Sequence, residues 1–145
     1  MDQQFEKQNI FGIGFPNDAY SEYFSGKSYL NPLTTAVEGN PFFANVTFAP
    51  GCRNHWHAHL ADKGGGQILL CVAGKGWYRE RGKEARLLSP GDVVEVPVGV
   101  EHWHGATKDG WFAHVAVEIP GENGRCRWLE AVSDAEYDAL PGVEP

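Results

Sequence analysis

The stretch ARLLSPGDVVEVPVGVEHWHGA, residues 85–106, alternates short apolar runs with turns that contain proline and glycine. A Pro-Gly turn at residues 90–91 separates two apolar runs, and a Pro-Val-Gly turn at residues 97–99 precedes a third. Proline and glycine favour tight turns, and short apolar runs between such turns are typical of antiparallel strands. The stretch therefore predicts three consecutive short strands.

The same pattern of short apolar runs separated by turns extends through most of the chain on either side. Three further strand-like stretches are PFFANVTFAPG (41–51), GGQILLCVAGKGWYRE (65–80) and WFAHVAVEI (111–119). Many short strands, with turns roughly every 8–12 residues, predict an all-β antiparallel sandwich or barrel.

Helical signals are confined to the two ends of the chain. Residues 18–24 could form one or two helical turns behind Asp18. Near the other end, Ser133 and Glu136 have the spacing of a capping box, which predicts a short C-terminal helix over residues 133–140.

Length and charge limit the classes of partner. The chain has 145 residues, enough for one domain with a buried core, and a formal net charge of −7. It has no basic run, which argues against nucleic acid and acidic membrane surfaces. Its apolar stretches are shorter than the roughly 20 residues that cross a bilayer, and its first residues lack the pattern of a secretory signal. We therefore expect a cytoplasmic protein with no nucleic-acid or membrane partner.

Five of the six histidines lie in two short motifs, NHWHAH at residues 54–59 and HWHG at residues 102–105. Side chains two residues apart on a strand share a face, so each motif presents its histidines on one side. Alternate residues on a strand are roughly 6.6 Å apart, near enough for two imidazoles to bind one ion. His55 and His59 would be roughly 13 Å apart, so we do not expect all three histidines of the first motif to bind the same ion. The pattern predicts a metal site built from histidines of separate strands.

The two motifs resemble the signatures of the cupin superfamily, whose fold is an antiparallel jelly-roll β-barrel. In the first signature, a glycine is followed after five residues by His-x-His, and counting from Gly51 identifies His57 and His59. The second signature is glycine, five residues, Pro-x-Gly, two residues and histidine. It matches residues 91–102 and ends at His102. The resemblance implies that these three histidines are metal ligands.

The fourth ligand that the resemblance implies is a carboxylate or an amide after the His-x-His pair. Gln67 opens the next apolar run and is the expected ligand, although seven residues separate it from His59 instead of the usual three or four. Asp62 lies nearer the usual spacing and is the alternative ligand. Ala106 stands where the second signature normally closes with asparagine, a position that is not a ligand.

Over residues 41–140 the chain resembles small single-domain metal cupins with a His-His-Gln-His site. They include cupins associated with carboxymuconolactone decarboxylase, manganese hydroxynitrile lyase-like cupins and KdgF-like cupins. The resemblance is carried by NVTFAPGCRNHWHAH, LSPGDVVEVPVGVEHWHGA and the tail WLEAVSDAEYDAL. We expect an N-terminal arm for packing or dimer contacts at 1–40, the cupin barrel at 41–120, and a tail with a short helix at 121–145. By analogy, we also expect a homodimer.

The donor set suggests the chemistry of the site. Three neutral imidazoles and a neutral amide leave one divalent ion its full charge, which suits Lewis-acid action on a bound oxygen anion. These ligands allow manganese, iron, zinc, nickel or cobalt, and the resemblance favours manganese or iron. We expect an enzyme that acts on a small organic acid or carbonyl compound by lyase, decarboxylase or isomerase chemistry. The alternatives are an iron-dependent dioxygenase of the quercetinase-like type and a non-catalytic binding module for small molecules.

Proton transfer would need a further residue beside the ion. His114 and Glu118 share one face of the late strand, and in the hydroxynitrile lyase-like cupins a histidine at the position of His114 lines the pocket. His104 shares a face with His102 and is a second candidate. We predict His114 and His104 as the catalytic residues, with Glu118 as a third candidate.

The remaining face assignments concern the pocket and the outer surface. We expect a mainly apolar pocket lined by one face of the strand at residues 42–48, which carries Phe42, Ala44, Val46 and Phe48. Trp56 and Trp103 alternate with the ligands, so we expect them to pack on the outer side. His55 is expected at the pocket mouth or on the surface.

Overall fold

The computed structural model describes residues 2–143, in which two antiparallel sheets pack against each other. The helices are α1 (Gln3–Gln8) and α2 (Asp134–Asp138), and Ser21–Tyr23 form a 3₁₀ turn. The strands are β1 (Phe15–Pro16), β2 (Phe24–Ser25), β3 (Ser28–Pro32), β4 (Phe42–Phe48), β5 (Arg53–Asn54), β6 (His57–Leu60), β7 (Lys63–Gly64), β8 (Gln67–Gly74), β9 (Gly76–Glu80), β10 (Arg86–Leu88), β11 (Val93–Val96), β12 (His102–Ala106), β13 (Phe112–Glu118), β14 (Gly121–Glu122) and β15 (Arg125–Trp128).

The strands connect in an order that brings distant parts of the chain together. The first sheet has the order β1-β3-β4-β13-β8-β11. The second has the order β10-β9-β12-β5-β2, and in it β6 pairs with both β12 and β15. A two-stranded ribbon of β7 and β14 lies apart from these sheets. The predicted all-β antiparallel architecture with a short C-terminal helix is confirmed.

The main hydrophobic core lies between the two sheets. Strand β8 shows why: its residues alternate between buried and half-buried, as expected for a strand with one face on the core. The core combines side chains of both sheets, among them Phe48, Leu69, Phe112, Tyr78, Leu88 and Ala106.

A second apolar cluster covers the outer side of the second sheet. It contains Trp56, Trp77, Trp103, Val132 and Tyr137. Trp56 and Trp103 lie on the face opposite the histidines, as predicted, but they are buried because the C-terminal segment packs over them. The hydroxyl of Tyr137 donates to the carbonyl oxygen of Ala106 at 2.6 Å, and the guanidinium of Arg53 lies 4.4 Å from the centre of its ring. The tail is thereby fixed against the strand that carries His102.

The two ends of the chain differ in detail from the prediction. Helix α2 has Ser133 as its N-cap, whose hydroxyl accepts from the backbone N–H of Glu136 at 3.1 Å, but the helix ends at Asp138. The predicted helical turns at residues 18–24 are reduced to the 3₁₀ turn, because Phe24 already pairs with Asn54 as part of β2.

Residues 15–32 extend both sheets of the barrel. Strand β3 pairs with β4 in the first sheet, and β2 pairs with β5 in the second. Part of the predicted arm is therefore integrated into the sheets, while its use in dimer contacts stays a prediction. Within residues 2–143, no helix is both long enough and apolar enough to span a membrane.

Candidate metal centre

Two neighbouring strands bring the histidine motifs together. Strands β6 and β12 are antiparallel, and their register places His102 opposite His57. The centres of these two imidazole rings are 4.2 Å apart. Two histidines that are far apart in the sequence therefore share one space inside the barrel.

His104 joins this pair because it follows His102 by two residues on the same strand face. One ligand nitrogen from each of His57, His102 and His104 can be chosen so that all three lie within 4.8 Å of one another. All three side chains are buried. Such a group of imidazoles could hold a metal ion.

Backbone carbonyls set the orientation of two of these rings. Nδ1 of His57 lies 2.8 Å from the carbonyl oxygen of His55, and Nδ1 of His102 lies 2.9 Å from that of Val100. A carbonyl oxygen only accepts, so Nδ1 carries the hydrogen in both rings and Nε2 keeps its lone pair. Nε2 of His102 is buried and has no hydrogen-bond partner within residues 2–143. A buried lone pair without a donor is what a metal ligand requires.

Burial also keeps these imidazoles neutral. Desolvation lowers the pKa of His57 well below its usual value, and nearby His102 lowers it further. Desolvation lowers the pKa of His102 to about 4. At neutral pH both rings are therefore uncharged, which is the form that binds metal.

The other two predicted ligands lie beside this group. The His59 ring centre is 5.2 Å from that of His57 and 5.3 Å from that of His102. Nε2 of His59 lies 3.1 Å from Oε1 of Gln67. The structure thus gathers His57, His59, Gln67 and His102 in one region, and it adds His104 to them. Which of these residues coordinate the ion stays a prediction.

Asp62, the alternative ligand, lies away from this region. Its side chain is 61% exposed, and Oδ1 lies 3.6 Å from Nη1 of Arg125 on the surface. The extra residues between His59 and Gln67 contain β7, which pairs with β14 and places Asp62 outside the cavity. The structure therefore does not bring Asp62 together with the other expected donors.

The two predicted catalytic residues contact each other. Nε2 of His114 lies 2.9 Å from Nδ1 of His104, and both rings are buried. Desolvation lowers the pKa of His114 to about 3, and it lowers that of His104 well below its usual value. The pair is neutral at pH 7 and joins β12 of one sheet to β13 of the other.

Asn54 is a site residue that sequence reasoning missed. Its Oδ1 accepts from the backbone N–H of His104 at 2.9 Å. Its Nδ2 lies 3.3 Å from Nδ1 and 3.2 Å from Nε2 of the same ring. Asn54 stands at the start of the NHWHAH motif, but only the pairing of β5 with β12 brings it to His104.

A cavity of about 1080 Å³ adjoins the site and is lined by Asn54, His57, His59, Gln67, His104 and His114. One wall is apolar, as expected, and includes Phe42, Ala44, Val46, Leu30 and Ala116. Phe48 packs instead against His114, with ring centres 5.3 Å apart. The cavity therefore combines an apolar wall with a group of neutral imidazoles.

An aromatic pair from the two ends of the chain covers His57. The Trp128 ring lies 4.6 Å from the His57 ring and stacks on Tyr23 at 4.3 Å. The side chain of His55 is half-buried outside the cavity, with its ring centre 6.4 Å from that of Tyr23. The contribution of His55 to the site is thus its carbonyl oxygen, and neither feature was evident from residue spacing.

The donor set fits a divalent metal ion. Neutral imidazoles and an amide oxygen suit divalent ions of the first transition series. The orphaned Nε2 of His102 and the fixed tautomers of His57 and His102 support the same assignment.

Comparison with known proteins defines the class. Residues 44–118 match the cupin domain family, so this chain belongs to the cupins. It is similar to (R)-mandelonitrile lyase of Granulicella tundricola, with 35% identity over 122 residues, 81% of this chain and 87% of the relative.

Two solved structures illustrate the shared fold. A cupin-like protein of Thermotoga maritima has 40% identity and a TM-score of 0.78, covering 88% of this chain and 93% of its own. KdgF of Halomonas sp. has 21% identity and a TM-score of 0.54, covering 66% of this chain and 82% of its own. The second likeness concerns the fold alone.

Proposed function

We propose that this protein is a metal-dependent lyase that cleaves a small neutral cyanohydrin into a carbonyl compound and hydrogen cyanide. The observation that carries the proposal is the group of His57, His102 and His104, whose ligand nitrogens lie within 4.8 Å of one another. Two of these residues, His57 and His104, line a cavity that has an apolar wall. The similarity to a mandelonitrile lyase supports the choice of substrate class.

The metal would be held by His57, His59, Gln67 and His102, the ligand set expected from the sequence. When bound, a divalent ion supplies Lewis-acid stabilisation of negative charge on the substrate oxygen. The preference for manganese or iron stays part of the proposal.

We propose that the pair of His104 and His114 moves the substrate proton. The 2.9 Å contact holds one hydrogen between Nδ1 of His104 and Nε2 of His114. When this hydrogen is on Nδ1 of His104, Nε2 of the same ring keeps its lone pair, which lies 3.2 Å from Nδ2 of Asn54. This nitrogen can accept the substrate proton in exchange for the contact with Asn54. The low pKa of both rings keeps them unprotonated before the reaction.

The bond changes then balance as follows. The substrate hydroxyl gives its proton to the imidazole, its oxygen forms the carbonyl double bond, and the bond to the nitrile carbon breaks. The electron pair of that bond leaves with cyanide, which takes up the proton from the imidazole. Addition of hydrogen cyanide to an aldehyde is the reverse of the same steps.

The cavity wall favours a neutral, partly apolar substrate. Phe42, Ala44 and Val46 present carbon atoms to the space beside the histidines. The carboxylate of Glu118, which also lines the cavity, would repel an organic acid. A compound with one polar end and one apolar end fits this arrangement best.

The test is cleavage of (R)-mandelonitrile, followed by the absorbance of released benzaldehyde. Protein purified without added metal is first analysed for its metal content, and it is then assayed before and after chelation. We expect cleavage that is lost on chelation and restored by manganese or iron. A metal-loaded protein that cleaves neither mandelonitrile nor an aliphatic cyanohydrin would contradict the proposal. Oxygen uptake by the iron-loaded protein would instead support the dioxygenase alternative.

A further inference from the structure

Glu118 contacts two of the residues expected to bind the metal. It ends strand β13, and its register partner on β8 is Gln67. Its Oε1 accepts from Nε2 of Gln67 at 2.6 Å. Its Oε2 lies 3.6 Å from Nδ1 of His59. Each oxygen of this carboxylate therefore faces a different residue of the centre.

The first contact fixes which atom of Gln67 faces the site. An amide has a donating NH₂ group and an accepting oxygen, and it can turn by half a rotation at little cost. An ionised carboxylate only accepts, so the NH₂ group of Gln67 must face Glu118. Oε1 of Gln67 then faces His59, from whose Nε2 it is separated by 3.1 Å.

The second contact bears on the tautomer of His59. In one tautomer, Nε2–H of His59 donates to Oε1 of Gln67 across 3.1 Å. The carboxylate 3.6 Å from Nδ1 supports the other tautomer, in which the hydrogen is on Nδ1 and the lone pair of Nε2 is available to an ion. In that tautomer, Nε2 of His59 and Oε1 of Gln67 are two acceptors 3.1 Å apart. Two lone pairs at this distance repel each other unless a cation binds both.

The charge of Glu118 also favours a cation bound by His59 and Gln67. The expected donors of the centre are neutral, so a divalent ion would keep its full charge there. The carboxylate of Glu118 supplies a negative charge beside two of the donors. The Glu118 side chain is 44% exposed, whereas Gln67 and His59 are buried. The carboxylate therefore reaches solvent while it contacts two buried side chains of the centre.

We propose that Glu118 is a positioning residue of the metal centre, which turns the amide oxygen of Gln67 and Nε2 of His59 toward one cation. The inference rests on the metal centre of the proposed function, but it does not depend on the substrate. It differs from the role considered for Glu118 from the sequence, which was proton transfer.

The test is the affinity of the metal-stripped protein for manganese, measured by calorimetric titration. Removal of an outer contact of this kind typically weakens metal binding about 10- to 100-fold. We expect a loss of this size in Glu118→Gln, which keeps the shape of the side chain but allows the Gln67 amide to turn. Glu118→Asp, which keeps the charge, should recover part of the affinity.

Glu122→Gln is the matched control. Glu122 lines the same cavity and carries the same charge, but it belongs to the ribbon of β7 and β14. We expect its manganese affinity to stay within about twofold of the wild type. An equal loss in both variants would overturn the positioning role, since net charge alone would explain it.

A second readout is the electron paramagnetic resonance spectrum of bound manganese, which reports the symmetry of its ligands. We expect the spectrum of Glu118→Gln to differ from that of the wild type, and the spectrum of Glu122→Gln to be unchanged. Wild-type affinity and spectrum in Glu118→Gln would overturn the inference. A wild type that binds manganese but cleaves no cyanohydrin would contradict the proposed function alone, and one that binds no divalent ion would overturn both.

Discussion

Nε2 of His114 lies 2.9 Å from Nδ1 of His104, so two buried imidazoles on different sheets share one hydrogen. Each neutral ring carries one hydrogen, and the contact can accommodate only one of the two possible donors. The tautomers of the two rings are therefore coupled. A change in one ring alters which nitrogen of the other is free to accept a proton.

His114→Phe should lower kcat without removing the metal. The substitution keeps an aromatic ring against Phe48 and Phe112 but removes the hydrogen bond to His104. Loss of a residue that takes part in proton transfer typically costs about 10²- to 10⁴-fold in rate. The measurement is kcat for cyanohydrin cleavage together with metal content. Loss of the metal in this variant would place His114 among the residues that hold the ion.

His104→Ala distinguishes the two possible roles of His104. The expected ligand set does not contain His104, so we predict that the variant binds one ion per chain and has a lowered kcat. The close grouping of His104 with His57 and His102 makes metal content the decisive measurement. Metal loss comparable to that of a ligand variant would show that His104 coordinates the ion.

His102→Ala should abolish stoichiometric metal binding. Its Nε2 is buried without a hydrogen-bond partner in residues 2–143, so its lone pair is available to an ion. We expect an affinity loss greater than the roughly 10- to 100-fold that outer contacts contribute. His55→Ala is the control, because it keeps the backbone carbonyl that orients His57. Elemental analysis of both variants measures the effect, and equal metal content would contradict the prediction.

The metal-free protein should lose stability in mild acid. In the unfolded chain a histidine has a pKa of about 6.5. In the folded chain, burial lowers the pKa of His102 to about 4 and that of His114 to about 3. At pH values between the unfolded and the folded pKa of each residue, the unfolded chain binds more protons than the folded chain. The free energy of unfolding therefore falls as pH falls through this range. Each histidine contributes roughly 1.4 kcal/mol per pH unit in this window.

Urea unfolding of the chelated protein at pH 7 and pH 5 measures this effect. For His114 alone the expected difference is roughly 2 kcal/mol, and His114→Phe should show a correspondingly smaller fall. Equal unfolding midpoints at the two pH values would contradict the expectation that these rings are buried in their neutral form.

Tyr137 should stabilise the fold through two separable contacts. Tyr137→Phe removes the hydrogen bond to the carbonyl oxygen of Ala106, which we expect to cost about 1–2 kcal/mol. Tyr137→Ala also removes the buried ring beside Trp103 and Arg53 and should cost about 3–5 kcal/mol. Asp138→Asn is a suitable control, since its ion pair with Lys108 is exposed and contributes little. Denaturant unfolding gives the three values, and equal stability of Tyr137→Phe and the wild type would contradict the first.

Local sequence signals were sufficient to predict the strands and the class of protein. The Pro-Gly and Gly-Lys-Gly turns mark the ends of β8, β9 and β11, and the Ser133 cap marks α2. The cupin spacing from Gly51 to His59 and from Gly91 to His102 indicated the family, which the comparison confirms. These features depend on residues close together in the chain, where turn geometry and strand alternation determine the outcome.

The rest of the site depends on strand pairing between distant segments. The contact of Asn54 with His104 requires β5 to lie beside β12. The stack of Tyr23 on Trp128 requires the two ends of the chain to meet. The link from Glu118 to Gln67 requires the register of β13 on β8. Residue spacing carries no information on such registers, so these residues were missed or given another role.

Strand β6 holds His57 and His59 between β12 and β15, both of which come much later in the chain. While the protein is being synthesised, His57 leaves the ribosome well before either neighbouring strand and before the Trp128 ring that covers it. Enclosure of the centre therefore waits until residue 128 has left the ribosome. A nascent chain whose residue 128 is still inside the ribosome leaves these imidazoles open to water, and uptake of a tightly held ion should await the pairing of β15 with β6.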